Sequence, residues 1–253
     1  MKKILSILFC AASIAFVSCK KETINDPTPV PAKKKLIETT LDEHRTFEYN
    51  ADGSLKATNV LGLGYEYKQI LTNSAGKTNE VIMIKGKKAE DGEYTLVNGK
   101  TTLFKGTEFD NLGNPTITYS TTYTYNPKGL LVKSLYFTGE YSTFEYDANN
   151  DLVEEIYHSP LSTPLQLTEY TYGNQEDLYP QYGILNYHNG SNLFPAMSKH
   201  LPVSKKVTNL PTNDVAFNGT FTYELDAQGY VTKAKYTSLL AGQSNFEWIN
   251  IYQ

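Results

Sequence analysis

Thiols are almost absent from this sequence. Cysteine occurs only as Cys10 and Cys19 in a chain of 253 residues, so disulfides, thiolate metal sites and a cysteine nucleophile are excluded from everything beyond Lys20. Histidine is nearly as scarce, and His44, His158, His188 and His200 are too scattered in sequence to form a metal motif. No Gly-x-Ser-x-Gly elbow is present. Gly62-Leu-Gly64 lacks the third glycine of a nucleotide-binding loop and reads as a strand bend. Basic residues do not cluster: 23 Lys and Arg against 27 Asp and Glu leave a net charge of -4, which argues against a nucleic-acid partner. No cofactor is implied.

The one extended apolar run, Ile4 to Val17, is too short to span a bilayer and follows Lys2 and Lys3, the pattern of a signal peptide. It ends in Phe16-Val17-Ser18-Cys19, which reads as a lipobox. Cleavage before Cys19 and acylation of its thiol would anchor the mature chain in a membrane; an ordinary secretory signal cut nearby is the alternative. Residues 1–18 are therefore read as a lipoprotein signal. Residues 19–35 are read as an acylated cysteine and a disordered tether, since Pro27, Pro29 and Pro31 alternate among polar residues with little to bury. Lys20 is not the aspartate that commonly retains lipoproteins in the inner membrane. The expected location is thus the outer membrane, facing either the periplasm or the exterior.

Residues 36–253 are read as a single domain. Its content of 20 Tyr and 11 Phe suits a pleated, half-buried surface, and a repeat organises it. Phe47-Glu-Tyr-Asn-Ala-Asp-Gly-Ser-Leu55, Tyr123-Thr-Tyr-Asn-Pro-Lys-Gly-Leu-Leu131, Phe144-Glu-Tyr-Asp-Ala-Asn-Asn-Asp-Leu152 and Phe221-Thr-Tyr-Glu-Leu-Asp-Ala-Gln-Gly-Tyr-Val231 share the kernel Tyr-[Asn/Asp]-x-x-Gly-x-Leu. Asn or Asp opens a turn through its side chain, and Gly supplies a left-handed residue, a role Asn150 takes in the third copy. Asn98-Gly99 predicts a further hairpin with a type I′ turn. The expectation is a mainly β fold, an antiparallel meander of repeated hairpins forming a curved or partly closed barrel-like sheet. Its one interruption is a long loop or short helix at about 178–210, rich in Pro, Asn and Gly.

The kernel resembles the Tyr-Asp repeats of rearrangement-hotspot and teneurin-type proteins. The lipobox, the repeats, the Tyr187 to Lys205 segment with Asn192-Leu193-Phe194-Pro195, and Asp226-Ala-Gln-Gly-Tyr-Val-Thr-Lys233 together resemble Bacteroidetes lipoproteins of the family called domain of unknown function 4595. That resemblance implies an antiparallel, porin-like sheet and transfers no catalytic residues.

Candidate chemistry is sparse against such a scaffold. Asp147, Asn149 and Asp151 alternate like calcium-loop ligands, but Leu152 stands where that loop needs glycine and His158 where it needs glutamate, so the segment reads as a turn. Glu154 and Glu155 point to opposite faces of a strand and cannot work as a paired acid and base. Aromatic side chains are the better candidates, since they stack on sugars or anchor proteins. The insertion gathers Tyr182, Tyr187, His188, Phe194 and His200, and long loops on rigid scaffolds often bind. The sequence thus predicts a non-catalytic, lipid-anchored envelope protein that binds a glycan or a protein. A structural or assembly role in the outer membrane, and a hydrolase whose site forms only on folding, are the alternatives.

Overall fold

The computed structural model describes residues 33–253 apart from 42, 63 and 180–192. Cys19, Tyr182, Tyr187 and His188 lie outside the described residues. Sixteen antiparallel strands follow one another as a meander: β1 (Leu36–Thr40), β2 (His44–Tyr49), β3 (Leu55–Gly62), β4 (Tyr65–Ser74), β5 (Lys77–Ile84), β6 (Lys87–Val97), β7 (Lys100–Phe109) and β8 (Pro115–Tyr125). They continue through β9 (Leu131–Tyr136), β10 (Tyr141–Tyr146), β11 (Leu152–His158), β12 (Pro164–Glu176), β13 (His200–Asn209), β14 (Asp214–Leu225), β15 (Val231–Ser238) and β16 (Phe246–Tyr252). Pairing of β1 with β16 closes the sheet into a barrel. The expected meander is therefore present, and its closure is complete. Strand β13 begins at His200, inside the segment expected to be a loop to about 210, because Ser204, Lys206 and Thr208 can alternate with inward Lys205 and Val207 along β12. No helix occurs among the described residues.

Up-and-down topology puts alternate connections at opposite ends. The end that carries the β2–β3, β8–β9, β10–β11 and β14–β15 turns also carries the junction of Lys35 with Gln253, joined by reciprocal backbone hydrogen bonds of 2.9 Å; we call it proximal and the other end distal. All four full copies of the kernel are proximal turns. Each is closed by an Asn or Asp side chain: Asn126 Oδ1 accepts from the Leu130 N–H, Asp147 Oδ1 from Asn149 and Asp151, and Asp226 Oδ1 from Gln228 and Tyr230. Asn150 replaces glycine at a φ of 69°, the left-handed conformation that Asn tolerates best after Gly. Asn98 and Gly99 both have positive φ, 51° and 74°, as a type I′ turn requires.

The tyrosine of the kernel has a job the turn does not explain. Beside each of these four turns the register slips: Thr124 faces Lys133 but Tyr125 faces Leu131, and Glu145 faces Glu154 but Tyr146 faces Leu152. Such a bulge takes a backbone carbonyl out of the ladder. The next inward tyrosine recovers it. Tyr146 donates to the Leu131 carbonyl at 2.9 Å, Tyr172 to Leu152 at 2.6 Å, and Tyr223 to Pro202, the register partner of Tyr172, at 2.6 Å. Tyr125 to Thr101 and Tyr49 to Leu36 repeat the contact, each at 2.6 Å, and Asn250 does the same for Val231 at 3.0 Å.

Aromatic rings fill much of the barrel. Along β14 to β16, Tyr236 stacks between Phe217 and Phe246, with centroids 4.5 Å away on both sides. Gly219 makes room for it, since a Cβ there would strike the Tyr236 ring and lie 2.5 Å from the Thr237 carbonyl oxygen. Two predictions follow from this packing. Tyr172→Phe leaves the Leu152 carbonyl unpaired and should cost about 1–3 kcal/mol in urea unfolding. Gly219→Ala should cost a further, independent ~1–3 kcal/mol by overpacking; unchanged midpoints would contradict both assignments.

Candidate functional site

A cavity of about 760 Å³ is bounded by inward side chains of β4 to β12, among them Tyr67, Gln69, Glu80, Glu90, Tyr94, Tyr119, Ser134, Ser142 and Glu155. Its proximal floor is a non-strand segment that precedes β13. Leu193 accepts hydrogen bonds from the Thr101 hydroxyl at 2.6 Å and the Thr101 N–H at 3.4 Å, and Met197 accepts from the Leu152 N–H at 3.0 Å. The segment is thereby pinned to β7 and β11. Phe194 lies edge-on to Tyr123 and Tyr94, at 4.8 and 6.3 Å between centroids, and closes the floor with Met197.

At the distal end the cavity reaches the β9–β10 turn, where Phe137, Thr138 and Glu140 line it. This end has an apolar rim. Leu41, Leu61, Ile84, Leu112, Phe137, Leu161, Val215 and Leu239 lie at or beside successive distal turns and are all exposed, with Leu112 and Leu161 at 86% and 89%.

Inside, the polar groups are carboxylates and phenols. Glu80, only 4% exposed, receives hydrogen bonds from Gln69 Nε2 and from the Tyr94 hydroxyl at 2.8 Å. Burial pushes its carboxyl above the usual range, with those two donors opposing the rise. Burial also raises Glu90, against the hydrogen bond from the Tyr119 hydroxyl and with the repulsion of Glu80 added. The folded chain thus holds these protons more tightly than the unfolded one. Their contribution to stability is greatest in acid and declines as pH rises through the carboxylate range. Glu155 is buried on the lumen side while Glu154 faces out, the opposed orientation expected of strand neighbours. Lys205 enters the lumen from β13, 5.6 Å from the ring centres of Tyr170 and Phe217. Burial lowers its pKa and Glu155 acts to raise it.

Of the candidate insertion residues, only Phe194 and His200 are among the described residues, and these two lie apart. Phe194 belongs to the cavity floor, whereas His200 is absent from the lining and is held by Asp151, Nδ1 to Oδ2 at 2.6 Å. Asp151 Oδ1 also accepts the N–H groups of Lys199 and His200, at 2.6 and 2.8 Å. Asp151 is 1% exposed. Burial works to raise its carboxyl, but the His200 ring and the two backbone donors outweigh it and hold the carboxyl below its ordinary range. The last acidic residue of the calcium-like stretch is thus a latch between the β10–β11 turn and β13. No cluster of three or more metal-ligating side chains occurs among the described residues.

Glu80, Glu90 and Gln69 were not legible as site residues. In Lys77-Thr-Asn-Glu-Val-Ile-Met-Ile84 both registers carry apolar residues, so alternation does not show that Glu80 points inward. The only local signal was the glycine inside each neighbouring strand. Gly92 and Gly106 face each other, and a Cβ on Gly106 would meet Tyr119 Cζ at 2.7 Å. An inward glycine beside an aromatic marks a wall into which a ring leans.

Fold and lumen together define a closed, sixteen-stranded antiparallel β barrel with an internal cavity. Solved structures agree on the fold. A porin-like protein from Bacteroides uniformis superimposes with a TM-score of 0.63 at 16% identity, covering 86% of this chain and 98% of that one. A porin-like protein from Bacteroides vulgatus does so at 0.58 and 12% identity, with the same coverage of each chain. No protein-family model matches the chain, and no curated protein matches it in sequence.

The outer face departs from a membrane-spanning barrel. Such a barrel presents an apolar band about 25 Å tall to lipid and a polar lumen. Here Lys56 and Lys68 flank Glu48 at 3.6 and 3.9 Å, Lys77 pairs with Glu93 at 2.7 Å, Lys206 with Glu169 at 3.3 Å, and Lys233 with Glu247 at 2.9 Å. Each exposed pair adds little stability, yet together they mark a face turned to water.

The Asp151 latch predicts a pH effect. A depressed carboxyl stabilises above its unfolded pKa of about 4 and loses that contribution as pH falls through the folded value. Asp151→Asn should therefore cost about 2–4 kcal/mol near neutrality. The gap to wild type should narrow as pH drops toward about 3. A gap in thermal midpoint that stays constant across that range would remove the charged latch from the account.

Proposed function

We propose that this chain is a non-catalytic cell-envelope protein that binds a small amphipathic ligand inside its barrel. The observation that carries the reading is the cavity itself. At about 760 Å³, it falls in the size range of small-molecule sites, roughly 300–1,000 Å³. It has a pinned floor, aromatic walls, a few converging polar groups and an apolar rim at the open end. A ligand with a hydrocarbon or ring surface and a polar head satisfies both kinds of wall. Among the described lining residues, Glu80 and Glu90 are both held by neutral donors. A protein or glycan contact through the distal rim is the second reading, favoured by the exposure of Leu112 and Leu161.

The lipobox at Cys19 supports a lipid anchor, and porin-like neighbours from Bacteroides accord with an envelope location. Chain continuity brings the tether to Lys34 and Lys35 at the proximal end, opposite the mouth. Lys34 is fastened there, its Nζ 2.6 Å from Asp226 Oδ2 and its N–H 3.0 Å from the Tyr230 hydroxyl.

Two measurements test these statements. N-phenyl-1-naphthylamine, a neutral fluorophore, should bind saturably at one site per chain, and Ser142→Phe, which fills the cavity wall, should abolish that binding while strand circular dichroism persists. Saturable binding that survives in the folded variant would place the ligand elsewhere. Labelled palmitate should enter the full-length chain in cells, and Cys19→Ser should release an unlabelled protein from the membrane fraction; labelling of the variant would overturn the anchor.

A further inference from the structure

The charge in the cavity is of one sign. Among the described lining residues Glu80, Glu90, Glu140 and Glu155 are acidic, and none is lysine, arginine or histidine. Two of the four are accounted for within the chain. Glu155 has the Lys205 amine as its opposite charge, and Glu140 sits on the distal turn in an exposed contact with the Thr138 hydroxyl, where water solvates its carboxylate. Glu80 and Glu90, on the adjacent strands β5 and β6, have only neutral donors: Gln69 Nε2 and Tyr94 on the first, Tyr119 on the second. An independent observation sits beside them. Gln69 is 4% exposed and lines the cavity, and its Oε1 has no hydrogen-bond partner.

A buried acceptor without a donor is costly, and so is buried charge without an opposite charge. Both costs fall together if the occupant brings N–H groups and a positive charge. The walls suit such a head, since Tyr67, Tyr94, Phe104 and Tyr119 surround the two carboxylates and aromatic faces attract cations. A neutral polyol would supply donors and leave the charge uncompensated; an anion would meet repulsion.

Resting on the reading of the lumen as a binding site, we propose that its ligand is an organic cation, a protonated amine or guanidinium carried on an apolar or aromatic body. The head group binds between Glu80 and Glu90 and donates to Gln69 Oε1. The body lies along the aromatic wall toward the apolar distal rim.

Three indoles of nearly equal size separate this from other ligand classes by titration calorimetry on the purified barrel at pH 7. Tryptamine carries the ammonium, tryptophol replaces it with a hydroxyl, and indole-3-acetate carries a carboxylate. Tryptamine should bind about tenfold or more tightly than tryptophol, and indole-3-acetate should not bind measurably. Glu80→Gln and Glu90→Gln, which keep shape and hydrogen-bonding capacity, should each erase that preference without weakening tryptophol. Circular dichroism and thermal melts show whether each variant is folded. Tryptophol binding as tightly as tryptamine, or maltose binding where tryptamine does not, overturns the cation while the lumenal site stands. Tryptamine binding that survives Ser142→Phe, or the absence of binding by tryptamine, overturns the proposal; in the latter case bound N-phenyl-1-naphthylamine shows whether the lumenal reading survives on its own.

Discussion

The hydrogen bond from a tyrosine hydroxyl to the carbonyl of a bulged residue is the constraint on which this barrel depends. Every proximal turn of the kernel type ends in a left-handed residue and a register slip, and a slip frees a carbonyl that faces the lumen rather than water. Leaving such groups unpaired at one turn after another would cost about 1–3 kcal/mol each, a large share of the margin a domain possesses. From β8 to β14 the remedy is shared. Tyr125 faces Leu131, whose carbonyl takes Tyr146; Tyr146 faces Leu152, whose carbonyl takes Tyr172; Tyr172 faces Pro202, whose carbonyl takes Tyr223. Each ring also fills lumen that a barrel of this strand number would otherwise leave to water.

This explains how much of the fold could be read from the chain. The kernel is a local code: an Asx turn, a left-handed residue and an aromatic two strands deep all lie within about ten residues, so hairpins, turn type and meander were legible. Closure was legible only as a curved or partly closed sheet, because nothing in Leu36–Thr40 or Phe246–Tyr252 names the other as its partner. The site was legible only in part. Phe194 was found through the composition of its loop, and its place in the cavity floor depends on the hydrogen bond from Thr101 to its neighbour Leu193, 92 residues apart in sequence. His200 was found by the same reasoning and is a structural partner of Asp151. Glu80 stayed hidden because Val81 and Ile82 make both faces of β5 look like core.

The barrel also inverts a familiar arrangement. Its buried aromatics point inward and its lysine–glutamate pairs outward, the reverse of a porin wall, although its fold superimposes on porin-like structures. Architecture and solvent preference are thus set separately. Pairing and turns fix the first, and which parity of each strand carries charge fixes the second. Within the lumen, the raised Glu80 and Glu90 oppose stability at neutral pH, a cost that stability alone does not explain.

Among the described residues, the seam between β1 and β16 is the one place where strands remote in sequence pair. Each other ladder of the described strands joins chain neighbours and can form as soon as both strands exist, whereas the seam must wait for β16. Loop-closure entropy therefore falls on a single late event. With Lys35 and Gln253 already hydrogen-bonded to each other, the ends of the domain meet in space. The barrel is in effect a ring cut at one point, and the position of that cut in the gene is a matter of history more than of physics.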